Sequence, residues 1–309
     1  MRVVAALGGN ALLERGEKPD SDIQESHVQR AVQALAPLAR AHDLVITHGN
    51  GPQVGMLALE SAGDPALSRP YPFDVLGAQT QGMIGYWLVR ALHGAVPGRA
   101  AGCLLGQTLV DPQDPAFARP AKFVGPVYTE ARARALAADR GWVVRRDGSA
   151  WRRVVPSPEP VALVELPLIQ ALLDAGALVV CAGGGGVPVV ADGSGSLRGV
   201  EAVVDKDLTA ALLARAVAAD ALLLLTDIDA VVDGFGTPGA RPIHHATPGE
   251  LRACSFAAGS MGPKVDAACR FVEATGRMAA IGGLDEAEAL LERKAGTVVS
   301  LDPNRPSRS

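Results

Sequence analysis

The sequence predicts an α/β protein built on a mainly parallel open sheet with helices over both faces. Three observations carry this. Strand-like apolar runs alternate with helix-like stretches from one end of the chain to the other, the pattern of parallel strands joined by crossover helices. Those runs are rich in Val, Leu and Ala and lack polar alternation, as in strands buried on both faces. The chain is 48% hydrophobic but only 4% aromatic, ample for a large core of small aliphatic side chains.

Residues 3–7 read as the first strand and 25–40 as an amphipathic helix. A second strand follows at 44–47, and Pro52 opens a helix at a position that tolerates proline. Residues 74–92 read as a further helix, with Asp74 as its N-cap, and 103–110 as one strand. Helices are predicted at 167–174, 208–218, 263–275 and 285–293. They alternate with strands at 177–181, 221–225, 278–281 and 297–300. Ala219, where a helix gives way to a strand, divides the chain into a first part, 1–218, and a second, 219–309. No linker composition marks that point, so the two parts are expected to pack closely and to share a sheet. The last residues, 303–309, read as a frayed tail.

Residues 119–153 break the rhythm. A charged helix is followed by two strand-like runs around Asp147-Gly148-Ser149, a good hairpin turn. This reads as a small inserted helix-plus-hairpin subdomain, reaching to about residue 155. It carries nine basic residues against three acidic ones, a net +6 on a chain whose total is −4. Such an insert is either a lid over an anionic substrate or a solvated basic face.

Charge and composition exclude several classes. A net charge of −4 gives no general reason to bind nucleic acid or an anionic membrane, and few aromatics are available as base-stacking platforms. No apolar run approaches the ~20 residues that span a bilayer. The four cysteines are scattered without a C-x-x-C pair, and the six histidines form no metal-ligand pattern. A reduced, cytoplasmic protein is expected.

The chemistry concentrates where strands end. Gly8-Gly9-Asn10 follows the first strand and Gly49-Asn50-Gly51 the second. A glycine turn between a buried strand and a helix gathers bare N–H groups and a helix N-terminus, a setting that favours phosphate-like anions. Gly183-Gly184-Gly185-Gly186 and Thr226-Asp227 lie at two further strand ends, where open α/β sheets bind ligands. Neither a P-loop G-x-x-x-x-G-K-[ST] nor a Rossmann G-x-G-x-x-G is present, so cationic help must come from isolated lysines. The chain has only five: Lys18, Lys122, Lys206, Lys264 and Lys294. Lys206 stands between Asp205 and Asp207 just before a helix, Lys264 starts another helix, and Lys122 lies in the basic insert. A compact ammonium where arginine is otherwise preferred suits a point charge on a phosphate. Asp205 and Asp207 either orient lysines, approach a magnesium ion or cap a helix. His48 is the one histidine placed near the site, in a hydrogen-bonded structural role.

Taken together these residues resemble the carbamate kinase branch of the amino-acid kinase family. The matching stretches are Ala6-Leu7-Gly8-Gly9-Asn10-Ala11-Leu12, Thr47-His48-Gly49-Asn50-Gly51-Pro52-Gln53-Val54-Gly55, Gln79-Thr80-Gln81-Gly82 with Gly85-Tyr86, and Arg152-Arg153-Val154-Val155-Pro156-Ser157-Pro158. Gly184-Gly185-Gly186-Val187-Pro188, Val203-Val204-Asp205-Lys206-Asp207-Leu208, Thr226-Asp227 and Gly259-Ser260-Met261-Gly262-Pro263-Lys264 complete a set that runs in order along nearly the whole chain. The resemblance implies a three-layer αβα sandwich with a protruding subdomain, an N-terminal carbamate lobe and a C-terminal nucleotide lobe. It implies reversible phosphoryl transfer between ATP and carbamate, with Mg2+ held mainly by the nucleotide phosphates and no protein metal site, and a homodimer. Lys206 and Lys264 match the lysines on the transferring group and nucleotide phosphates. Asp207 matches the acid organising them, and Lys122 the subdomain lysine that closes on the site. Gly8, Gly9, Asn10, Gly49, Asn50, Gly51, Gly184 and Gly185 match substrate and phosphoryl contacts, and Thr226, Asp227, Met261 and Gly262 nucleotide contacts. One departure stands out: Phe123 follows the subdomain lysine where proline is usual, which bears on the rigidity of the lid. The rival readings are another carboxylate kinase of the same family and a non-catalytic nucleotide sensor on the same fold.

Overall fold

The structure, a computed structural model, describes residues 1–14, 16–256 and 261–302, with Asn10 and Pro126 in backbone only. The chain begins β1 (Arg2–Leu7), α1 (Ser21–Ala41), β2 (Asp43–His48), α2 (Gly51–Gly63), α3 (Phe73–Ala95), β3 (Ala101–Cys103) and β4 (Gln107–Val110). The basic insert follows as β5 (Lys122–Tyr128), α4 (Glu130–Arg140), β6 (Val143–Asp147) and β7 (Ala150–Val155). Next come β8 (Pro160–Leu163), α5 (Leu166–Asp174), β9 (Leu178–Val180), β10 (Val187–Ala191), β11 (Leu197–Gly199), α6 (Lys206–Ala216) and β12 (Ala221–Thr226). The chain closes with β13 (Val231–Asp233), β14 (Arg241–Ile243), β15 (His245–Ala246), α7 (Pro248–Ala253), α8 (Met261–Thr275), β16 (Met278–Gly283), α9 (Ala287–Leu291) and β17 (Thr297–Val299).

Eight strands form the main sheet in the order β15-β17-β16-β12-β1-β2-β9-β3. All neighbours are parallel except β16 and β17. β1 and β12 are adjacent, so strands from both sides of Ala219 share one sheet. The alternation of β1 divides the core: Val3, Ala5 and Leu7 face α1, α3 and α9, while Val4 and Ala6 face α5, α6, α7 and α8. These are the three layers of an αβα sandwich, and uninterrupted Val/Leu/Ala strands are what a doubly covered sheet requires.

Three expectations need correcting. The run 103–110 is two strands, β3 in the main sheet and β4 in a second sheet ordered β11-β10-β4-β8. Gln81 diverts the chain between them: its Oε1 accepts from Gly106 N at 2.8 Å and its Nε2 donates to Gly106 O at 2.9 Å. Asp74 lies inside the first turn of α3 rather than capping it, and Pro72 holds the N-cap position. The Phe73 N–H donates instead to Glu201 Oε2, 2.8 Å away. The insert is richer than a helix and a hairpin, because β5 pairs with β7 to complete a three-stranded sheet. Phe123 lies beneath the Arg152 guanidinium, 5.6 Å from its ring centroid, so a cation–π contact occupies the site where proline is usual.

Candidate active site

The main sheet brings the four sequence-flagged turns to one edge. In register, Leu7 stands beside Leu225 and His48, and Ile46 beside Val180. The turns after β12, β1, β2 and β9 therefore sit side by side at the carboxyl ends of four adjacent strands, the ligand-binding edge of an open α/β sheet. Gly49 packs so tightly on the first turn that a Cβ there would lie 3.0 Å from Gly9 N and 3.5 Å from Lys206 Cδ. Gly9, Gly49 and the stem of Lys206 thus form one contact. Asn50 donates from Nδ2 to Thr80 Oγ1 at 2.8 Å and lies over Gly184. A Cβ on Gly184 would sit 2.3 Å from Asn50 Nδ2, and φ is +66° there, so glycine is required twice over. The carbonyl of Gly185 accepts from Thr108 Oγ1 at 2.8 Å and from Thr209 Oγ1 at 3.0 Å. The side chain of Asn10 lies outside the described residues. Gly51 is the first residue of α2, so that helix points its N-terminus at the same edge.

Two helices bring charge to this edge. α6 starts at Lys206, an unfavourable position for a cation against the helix dipole, and acids compensate. Asp205 is the N-cap, its Oδ1 accepting from Asp207 N at 2.9 Å and Leu208 N at 3.3 Å. Asp207 Oδ1 accepts from Lys206 Nζ at 2.5 Å, and Oδ2 from Lys264 Nζ at 3.0 Å. One carboxylate therefore holds the lysines at the starts of α6 and α8. Burial opposes the charged Asp207 carboxylate, but Lys206 and Lys264 outweigh it and hold its pKa well below the usual carboxylate range. Burial also lowers the pKa of the Lys206 ammonium below the ordinary lysine value, against the pull of Asp207. A desolvated ammonium of this kind is primed for an incoming anion.

Lys122, at the start of β5, donates to Asp205 Oδ2 at 2.6 Å. The insert thus reaches the cap of the helix that carries Lys206. The capping and lysine-holding roles of Asp205, alternatives in sequence, coexist. Thr226 lies beside Gly8, its Cα 3.7 Å from where a Gly8 Cβ would be, and its Oγ1 donates to Asp227 Oδ1 at 3.1 Å. Met261 and Gly262 open α8 at partial exposure, next to Lys264. Gly259 and Ser260 lie outside the described residues. His48 is buried, with Nδ1 donating to Gly49 O at 2.9 Å. Burial lowers its pKa to about 4, so it is a neutral prop for the turn at pH 7. Sequence reasoning singled out Thr80 only within a matching stretch, without a role, and missed Thr108; their hydroxyls hold Asn50 and Gly185 from distant elements. It also missed Glu201.

Each oxygen of Asp205 and Asp207 already accepts from a lysine or a helix amide, and among the described residues no group of three His, Cys, Asp or Glu is placed to hold a metal. Among the same residues no helix is long and apolar enough to cross a membrane.

Residues 1–282 match the model of the Amino acid kinase family. Carbamate kinase of Rhizobium meliloti (strain 1021) is 52% identical, covering 97% of this chain and 93% of the relative. Carbamate kinase of Escherichia coli (strain K12) is 50% identical over 97% of this chain and 99% of its own length. The solved structure of carbamate kinase from Giardia lamblia bound to AMP-PNP has a TM-score of 0.89 at 40% identity, covering 97% of this chain and 98% of that one.

Proposed function

This chain belongs to the amino acid kinase family, among its carbamate kinases, and we propose that the cluster at the sheet edge is where it works. The reaction is reversible phosphoryl transfer: ATP and carbamate give ADP and carbamoyl phosphate. The observation that carries the site is the single Asp207 carboxylate holding Lys206 and Lys264 while the Lys206 stem lies beside Gly49, which itself packs on Gly9. Carbamate is already an anion, so its oxygen needs no general base, and a buried neutral His48 is no obstacle. What remains is positioning and charge neutralisation.

In this reading, N–H groups of the Gly8-Gly9-Asn10 and Gly49-Asn50-Gly51 turns hold carbamate and the moving phosphoryl group, with Gly184 and Gly185 beside them. Lys206 and Lys264 swing from Asp207 toward the phosphates, and Lys122 closes from the insert. Thr226, Asp227, Met261 and Gly262 contact the nucleotide. Residues 1–218, with the lid at about 119–155, form the carbamate lobe, and 219–309 the nucleotide lobe. Mg2+, carried by the nucleotide phosphates, supplies further charge neutralisation when bound. The AMP-PNP named for the Giardia lamblia structure supports the nucleotide assignment. A cytoplasmic homodimer completes the reading. An apolar hollow of about 550 Å³ lined by Tyr86, Val89 and Leu105 beside edge strand β3 supports self-association.

A coupled assay tests the chemistry: ADP plus carbamoyl phosphate yields ATP, and glutamate-type acyl phosphates do not. Lys206→Ala and Lys264→Ala each lower the rate by at least ~100-fold, the scale of losing one preorganised charge. Turnover near that of the unaltered enzyme in either purified variant removes that lysine from the site.

A further inference from the structure

The Arg152-Arg153 pair has no part in the chemistry above, yet it lies at the root of the insert. Arg152 is internal to it, donating to Gly125 O at 3.1 Å and to Asp147 Oδ2 at 3.0 Å. Arg153 faces the other way. Its Nη2 donates to Glu201 Oε1 at 3.0 Å. Its guanidinium is sandwiched 4.7 Å from the ring of Phe73 in α3 and 4.7 Å from that of Trp142 in the insert.

Glu201 belongs to the stretch that leads into α6, and every second residue of that stretch holds the insert. Glu201 takes Arg153. Val203 donates its N–H to Pro156 O at 3.0 Å and packs with Val54, Phe73, Val124 and Val155. Asp205 takes Lys122. On the insert side, Lys122 stands opposite Val155 across the β5–β7 ladder, two residues from Arg153. Two cations of one ladder therefore clasp two acids of one short segment. Each acid also caps a helix of the site: Glu201 the α3 that carries Thr80, and Asp205 the α6 that carries Lys206.

We propose that Arg153 and Glu201 are positioning residues that register the insert on segment 201–205 and so set Lys122 over the start of α6. The proposal rests on the reading that Lys122 serves the phosphoryl transfer. Glu201 is shared between a cation and a helix N–H, and Arg153 between two rings and that carboxylate, so shifting the insert by a residue breaks both arrangements at once. Lys122 has a long flexible stem with a third of its side chain exposed. Its ammonium goes where the strand root points it, and misplacing a reacting group by a fraction of its reach slows transfer.

A double-mutant cycle between Glu201→Gln and Lys122→Met tests this, because residues acting through one another are non-additive. The glutamine keeps an acceptor for the Phe73 N–H but removes the charge from Arg153. Expected are a kcat about 10-fold lower for Glu201→Gln alone, an unchanged melting midpoint, and less than a twofold effect of the same change in the Lys122→Met enzyme. Arg153→Lys, which keeps the charge but loses the stacked fork, repeats the pattern should the glutamine variant fold poorly. Equal penalties in both backgrounds, or no penalty in either, overturn the clasp. Near-normal turnover of Lys122→Met instead overturns the reading of Lys122 itself, a result seen before the second substitution is added.

Discussion

Asp207 and His48 show how burial decides what an ionisable residue can do. Asp207 is kept charged by two ammoniums in spite of its burial, which makes it a fixed anchor from which both lysines can be released to phosphates. His48 has no such partner, and burial lowers its pKa to about 4. An unfolded histidine takes up its proton near pH 6.5. Above that pH it is neutral in both states and favours neither. Between about 6.5 and 4 only the unfolded chain is protonated, so stability falls as pH falls, by about 3 kcal/mol over the window. His48→Asn removes this term. Denaturant titrations at pH 7.5 and pH 4 are expected to show the unaltered protein losing about 3 kcal/mol more than the variant across that interval. Equal losses show that His48 titrates normally. The sequence motif placed His48 at the site. Its neutrality follows from burial, and the Gly183 backbone is part of what covers it: a Cβ there would lie 2.3 Å from Nε2, an approach no local pattern reveals.

Among the elements, α6 concentrates the chemistry in one turn, with cap, cation and anchor on consecutive residues. Asp205 is the cap and also the seat of Lys122, and two substitutions separate these roles. Asp205→Asn keeps a side-chain oxygen for the Asp207 and Leu208 amides, and Asn is as good an N-cap as Asp. The Lys122 ammonium loses its carboxylate. Asp205→Ala loses both and costs about 1 kcal/mol of stability. Turnover is expected to fall by a similar factor in the two variants while only the alanine variant melts earlier. An asparagine variant with full activity shows the Lys122–Asp205 pair to be irrelevant to the reaction. The same comparison marks how far local sequence reaches. Asp205-Lys206-Asp207 before an apolar run is visible as a charged helix start, and the strand-end glycines as anion turns. Contacts between elements far apart in sequence are not. Nothing near Phe73 announces that Glu201 will cap α3, so Asp74 reads as the cap. Nothing in 103–110 announces that Gln81 will grip Gly106 and split the run. β5 is hidden for a related reason: its partner β7 comes after an intervening helix, and Gly125 interrupts its pattern with a left-handed φ of +70°.

At the level of the whole molecule, the sheet has two unequal ends. At one, β15 is a two-residue strand beside the antiparallel pair β16–β17, a short edge of the kind that resists further pairing. At the other, β3 ends the sheet, and the neighbouring face of α3 leaves Tyr86 57% exposed with Leu105 52% exposed beside it. Large apolar side chains around a hollow next to an open strand edge are what an isologous interface buries, since a twofold axis sets the same patch against itself. Arg90 lies on this face with its charge spent on Glu25 and its guanidinium over Tyr86, 5.1 Å from the ring centroid, so the patch carries no uncompensated arginine to resist burial. Tyr86→Asp with Leu105→Asp places like charges on both sides of such an axis. Sedimentation velocity at micromolar concentration is expected to show a dimer for the unaltered chain and a monomer for the double variant. All the residues assigned to phosphoryl transfer come from one chain, so the monomer is expected to keep kcat within a few fold. A variant that remains dimeric assigns the interface to another face. A monomer that folds but has lost turnover shows that the partner completes the site.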